Sequence, residues 1–164
     1  MRTCICSPCG ILGYGFPQES FRRALAEKPD AIVDAGSTDA GPHKLGAGVA
    51  IVSRMAAKKD LRLLMQGAQE LDIPLVIGSA GGSGARTHTE WTLSIIREVC
   101  AEMDWHPKTA VIWADISNEV ILDAMAQGRI EKMSENVPDL TPETLNQTNG
   151  VVAQMGMEPV LDAL

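Results

Sequence analysis

The sequence predicts an α/β fold, with a mostly parallel sheet in a Rossmann-like three-layer αβα arrangement and residues 1–164 as a single α/β domain. Three observations predict it. Four short apolar runs read as strands: Thr3 to Cys6, Ala31 to Ala35, Leu75 to Gly78 and Ala110 to Ala114. The last three are near-continuous rather than alternating, as in strands covered on both faces. Helical patterns fill the intervals, and strands that alternate with helices imply right-handed crossovers and a parallel sheet.

The elements follow in chain order. After the first run, Pro17 is placed as a first helical residue, and Phe21, Ala24 and Leu25 mark one face of that helix. The second run leads into residues 36–52, a glycine-rich connection of a length that is usually functional in compact domains. Ser53 caps a long helix whose apolar positions Ala57, Leu61, Leu64, Ala68 and Leu71 recur at helical spacing. The third run passes through a glycine loop into a helix opened by a capping-box pattern, Thr87 with Glu90. Trp91, Ile95, Val99, Ile96, Cys100 and Met103 form its apolar side. After the fourth run, Ser117 caps a helix with Ile121, Leu122 and Met125 inward and Gly128 as its stop. Thr141–Pro142 begins a further helical segment, and Pro159 opens the last. Residues 129–139 read as a plain surface connection.

Charge excludes one class of function. The net charge is -7, from 14 basic and 21 acidic side chains, and the densest basic pairs are Arg22-Arg23 and Lys58-Lys59 on helical faces. No electrostatic footprint for nucleic acid results. No apolar run is long enough to span a bilayer, and Met1 to Ile5 does not open an apolar leader, so a cytoplasmic protein without a membrane partner is expected. Of the four cysteines, Cys4, Cys6 and Cys9 cluster and Cys100 stands apart. No second ligand pair at metal spacing accompanies the cluster, so no metal is expected. Cys4 and Cys6 share one strand face and pack as small hydrophobes.

Ligands of open α/β sheets bind beyond the carboxyl ends of the strands. At those ends lie Ser7-Pro8-Cys9-Gly10, then Asp34 with Gly36, Ser37, Thr38 and Asp39, then the loop from Gly78 to Gly84, then Asp115. The glycine loop leaves a strand and enters a helix. Its backbone is free to turn tightly, and the amides of a helix start favour an anion. Ser79, Gly81, Gly82, Ser83, Gly84 and Arg86 are therefore expected to bind a phosphate or carboxylate, together with residues 36–39. The loop is neither a Walker A sequence nor a strict dinucleotide fingerprint, because no Lys-Ser or Lys-Thr pair and no third glycine follow Gly84. Asp34 and His88 are the expected proton-transfer pair, with Asp115 as a further catalytic carboxylate. Asp115 has a structural alternative as the cap of the helix that follows it. His43 and His106 are weaker candidates.

At these loops the chain resembles the acyclic terpene utilisation (AtuA) family. The resemblance lies in residues 7–15, Asp34-Ala35-Gly36-Ser37-Thr38-Asp39, residues 78–85 and Val152-Ala153-Gln154-Met155-Gly156, in that order. It covers the family's N-terminal region and essentially this whole sequence. It implies a role in bacterial catabolism of branched isoprenoids such as citronellol or geraniol, or of related acids. Family members are typically longer, and in them the segment matching Val152 to Leu164 leads into a further strand, so a missing C-terminal region or a homo-oligomer is expected. The expected enzyme is a hydratase, lyase or isomerase acting on a small-molecule carboxylate or its coenzyme A thioester. Two alternatives stand beside it: a nucleotide-dependent enzyme using the same glycine loop, and a non-catalytic module that completes a partner's sheet.

Overall fold

The computed structural model describes residues 2–35 and 42–164. Three of the apolar runs form strands: β1 (Ile5–Cys6), β2 (Ala31–Ala35) and β3 (Leu75–Gly78). They make a parallel sheet in the order β1-β2-β3, with Cys6 opposite Ile32, Ile32 opposite Leu75, and Asp34 opposite Ile77. The chain is thus mixed α/β.

The helices of this half are α1 (Gln18–Ala26), α2 (Pro42–Gly46), α3 (Arg54–Leu71) and α4 (Arg86–Met103). Pro17 precedes α1 as its N-cap rather than opening it. Ser53 caps α3 as its sequence suggests, its hydroxyl accepting the Ala56 amide at 3.2 Å. A strand order without a reversal, joined by right-handed crossovers, brings the connecting helices to one face of the sheet. The contacts of α1 with α3 and of α3 with α4 agree with one helical layer. The core lies between that layer and the sheet. Cys6 and Ile32 meet Leu61 and Leu64 of α3 and Ile95 and Val99 of α4, all buried. On the other face of the sheet, Ile5 is exposed and Val33 and Val76 are half-buried. Across the outside of the α3–α4 contact, Arg54, Lys58 and Arg62 alternate with Glu98 and Glu102 in a ladder of ion pairs.

The fourth expected strand, Ala110 to Ala114, is not a strand. Its last residue is committed elsewhere: the Ala114 amide donates to the Gly84 carbonyl at 3.3 Å, and its carbonyl accepts the Ala153 amide at 2.8 Å. Those bonds draw the chain off the edge of β3. The chain pairs one step later, where β4 (Asp115–Ile116) runs antiparallel to β5 (Val151–Val152) as a separate small sheet. The same half of the chain holds α5 (Asn118–Ala126), α6 (Pro142–Gln147) and α7 (Glu158–Ala163), with Ser117 capping α5 and Thr141 and Thr144 forming a capping box on α6. Residues 129–139 form an exposed connection without helix or strand.

Candidate functional site

The parallel register sets the geometry. Asp34 sits one residue from the end of β2, opposite Ile77, so it shares an end of the sheet with the loop that leaves β3. Asp115 reaches the same place from further along the chain. Both of its carboxylate oxygens accept the Arg86 amide, at 2.9 and 3.1 Å, at the start of α4. The expected capping box therefore does not open α4. Thr87 lies inside the helix, and a distant carboxylate takes the capping position in space. An acceptor at that end is favoured by the free amides and by the helix dipole. The alternative in which Asp115 caps the next helix is corrected likewise, since Ser117 caps α5.

The glycine loop is shaped by what it must approach. Ser79 takes a left-handed conformation (φ 44°, ψ 46°), and a short 3₁₀ turn follows over Ala80–Gly82. Gly81 has φ 70°, and a Cβ there would fall 2.5 Å from the His88 carbonyl oxygen. Only glycine lets the turn lie this close against the first turn of α4. The loop's amides are largely used within it. Gly82 donates to the Ser79 carbonyl at 2.7 Å, Gly84 to the Ala80 carbonyl at 3.3 Å, and the Ser83 amide also to Ala80. With the Arg86 amide on Asp115, the expected cradle of amides for an anion is not free in this arrangement. The Arg86 side chain lies 4.3 Å over the Trp113 ring and 3.9 Å from Glu90.

Ser83 and His88 come together. Ser83 Oγ lies 2.6 Å from His88 Nδ1, and the same oxygen accepts the Ala85 amide at 3.1 Å. Both residues are buried, His88 to 1% exposure. Burial holds the imidazole below its ordinary pKa, partly opposed by the Val49 backbone. A neutral ring has one N–H. Were it at Nδ1, the Ser83 oxygen would accept twice and its own proton would need a further buried acceptor. The hydroxyl proton therefore points to Nδ1, and Nε2 carries the ring proton. Nε2 is buried without a hydrogen bond of normal geometry among the described residues. Buried polar atoms in that condition are few, and they concentrate where structure has a task beyond stability.

Asp34 is also buried, at 2%, on the same face as Ile32 and therefore under the helical layer. Its carboxylate adds to the burial that raises the Cys6 thiol pKa, as does Cys4. Gly36, Ser37, Thr38 and Asp39 lie outside the described residues. His43 is exposed on α2, and His106 is exposed beside Asp104 at 3.6 Å. Among the described residues no group of three or more His, Cys, Asp or Glu side chains is placed to hold a metal. No helix is long and apolar enough to cross a membrane.

One residue escaped the reading of the sequence. Asp60 of α3 is 1% exposed, and its Oδ2 accepts the amides of Gly13 and Gly15 at 2.8 and 2.9 Å. It fastens the loop after β1 to the helical layer. The signal was present: Asp60 falls between Ala57 and Leu64 on the apolar stripe, where a carboxylate needs a partner. Comparison with protein-family models, curated proteins and solved structures finds no match to the chain.

Proposed function

We propose that this chain is an enzyme domain of proton-transfer chemistry, with His88 as its base. The substrate is an isoprenoid or branched carboxylic acid, or its coenzyme A thioester, and the reaction a hydration, elimination or isomerisation. One observation carries the reading: a buried, neutral imidazole whose Nδ1 lone pair faces the Ser83 hydroxyl at 2.6 Å, so that Ser83 Oγ can take a proton from substrate as it passes its own to Nδ1. A neutral ring is the form able to take a proton. Asp34, at the same end of the sheet, is the second proton-transfer group. The motif resemblance to the AtuA family supplies the substrate class. A cytoplasmic location and the full three-layer arrangement belong to the same proposal, the half-buried Val33 and Val76 being the residues that a third layer would cover.

Each of those reactions begins or ends with a proton moving at carbon beside an acyl group. The test is solvent exchange. Branched ten-carbon acids and their coenzyme A thioesters are incubated with the protein in deuterium oxide and read by proton NMR. The expected result is deuterium at the α or γ carbon, lost by at least a hundredfold in His88→Ala. Absence of exchange with every substrate, or exchange undiminished in His88→Ala, contradicts the reading.

The second reading is a module that completes a partner's sheet. The outer edge of β3 favours it, because no strand pairs there among the described residues. It predicts stable association in solution, and a dispersed monomer by light scattering would set it aside.

A further inference from the structure

The departure of residues 110–114 from β3 leaves a space. A cavity of about 320 Å³ lies along the outer edge of β3, bounded by α4, by residues 107–112 and by Val160, Ala163 and Leu164 at the end of the chain. We infer that this cavity is a binding site for an apolar chain of about ten to twelve carbons that ends in a carboxylate. In calling that ligand a substrate, the inference rests on the proton-transfer reading; as a binding site it stands without it.

Size gives the chain length. A dry apolar cavity of about 150 Å³ holds one benzene, so a space about twice as large suits about twice as many carbons. It also falls at the small end of ordinary ligand pockets, about 300 Å³ upward. The walls give the chemistry. Leu75 and Ile77 of β3 face a boundary that includes Leu93 and Ile96 of α4 and Ile112 of the departing segment. Two polar side chains on the α4 side are already occupied. The Thr89 hydroxyl donates to the Gly84 carbonyl and the Thr92 hydroxyl to the His88 carbonyl, each at 3.0 Å. Neither needs water or a polar ligand.

Charge sets the end group. Lys108 is the one charged side chain lining the cavity, and it has no ion pair among the described residues. No aspartate or glutamate lines it, in a chain that carries 21 of them. An apolar body with a single cation at its border complements a carboxylate better than an alcohol or an amine. The lining also takes in Ala80, in the turn that packs on His88. The chain's own segment 110–114 is a poor occupant, because both backbone groups of Ala114 are held by Gly84 and Ala153.

The test is titration of the full chain with decanoate and with decanol, read by calorimetry and by methyl NMR. Decanoate is expected to bind at one saturable site and to shift the methyl signals of Leu93, Ile96 and Ile112. Lys108→Glu is expected to weaken decanoate at least fivefold while leaving decanol within twofold. Leu93→Trp, which fills the space, is expected to weaken both at least tenfold, with Ile112→Trp as the second filling variant if the first does not fold. No saturable binding at millimolar decanoate overturns the inference. So does binding that leaves those three methyl signals unmoved. Binding without deuterium exchange would sink the reaction and keep the site; exchange without decanoate binding would do the reverse.

Discussion

The Asp115 carboxylate holds the Arg86 amide with both oxygens across 29 positions of sequence. This bond joins the segment that failed to become a strand to the start of α4. It also fills the helix terminus that the sequence offers to an anion. Asp115→Ala is expected to destabilise the protein by about 1 kcal/mol, as for the loss of an N-cap. In a chain of this size that corresponds to about 3 °C in Tm. Asp115→Asn should recover part of the loss, and hydrogen exchange should localise the effect to the first turn of α4.

Gly81→Ala probes the contact between the loop and the helix. The new Cβ would meet the His88 carbonyl oxygen at 2.5 Å in a backbone with φ 70°. A left-handed alanine alone costs about 1 kcal/mol, and displacement of the turn adds to it, for a total of about 2 kcal/mol or more. Chemical denaturation checks the stability, and the His88 ring signals should shift with it.

Asp60→Ala removes the common acceptor of Gly13 and Gly15. Two amides left without a partner cost about 1 to 3 kcal/mol each where they are shielded from water. A loss of about 3 kcal/mol is expected, with raised amide exchange at both glycines. An effect below about 0.5 kcal/mol would show that the loop after β1 is held by other means.

The α3–α4 ladder predicts a dependence on pH and salt. Lys58 lowers the pKa of both Glu98 and Glu102, helped at Glu98 by Arg54 and at Glu102 by Arg62. Carboxylates depressed in the folded state contribute stability above their unfolded value, about 4.3, and lose it as pH falls through the folded values. Tm is therefore expected to fall on acidification through that window, and less so in Lys58→Ala. Added salt should narrow the difference between the two proteins, because these pairs are exposed.

How much of this was legible in sequence differs by element. The β2 and β3 runs are near-continuous and apolar, and both are strands. Residues 110–114 carry the same local pattern, yet a strand also needs a neighbour, and Gly84 and Ala153 claim Ala114 first. Pairing at a sheet edge is decided by tertiary contacts that no local window contains. The convergence of Asp34 and the glycine loop on one end followed from strand direction alone, whereas Asp115 arrives there through its bond to the Arg86 amide, without the strand expected before it. The use of the loop amides did not, because a glycine that frees a backbone for a ligand also frees it to bond to itself. His88 stood out by its position behind the loop, but its bond to Ser83 depends on the turn between them.

The proposed chemistry needs His88 as a neutral base oriented by Ser83, and an NMR titration of its ring nitrogens tests this most directly. Burial lowers its folded pKa, so the ring is expected to remain neutral, protonated at Nε2, as pH passes below about 6.5. Stability should be full above that value and decline as pH falls toward the folded pKa, where the unfolded chain binds the extra proton. Ser83→Ala should disturb the Nε2–H tautomer. A ring that titrates at or above about 6.5, or that carries its proton at Nδ1, would contradict the account.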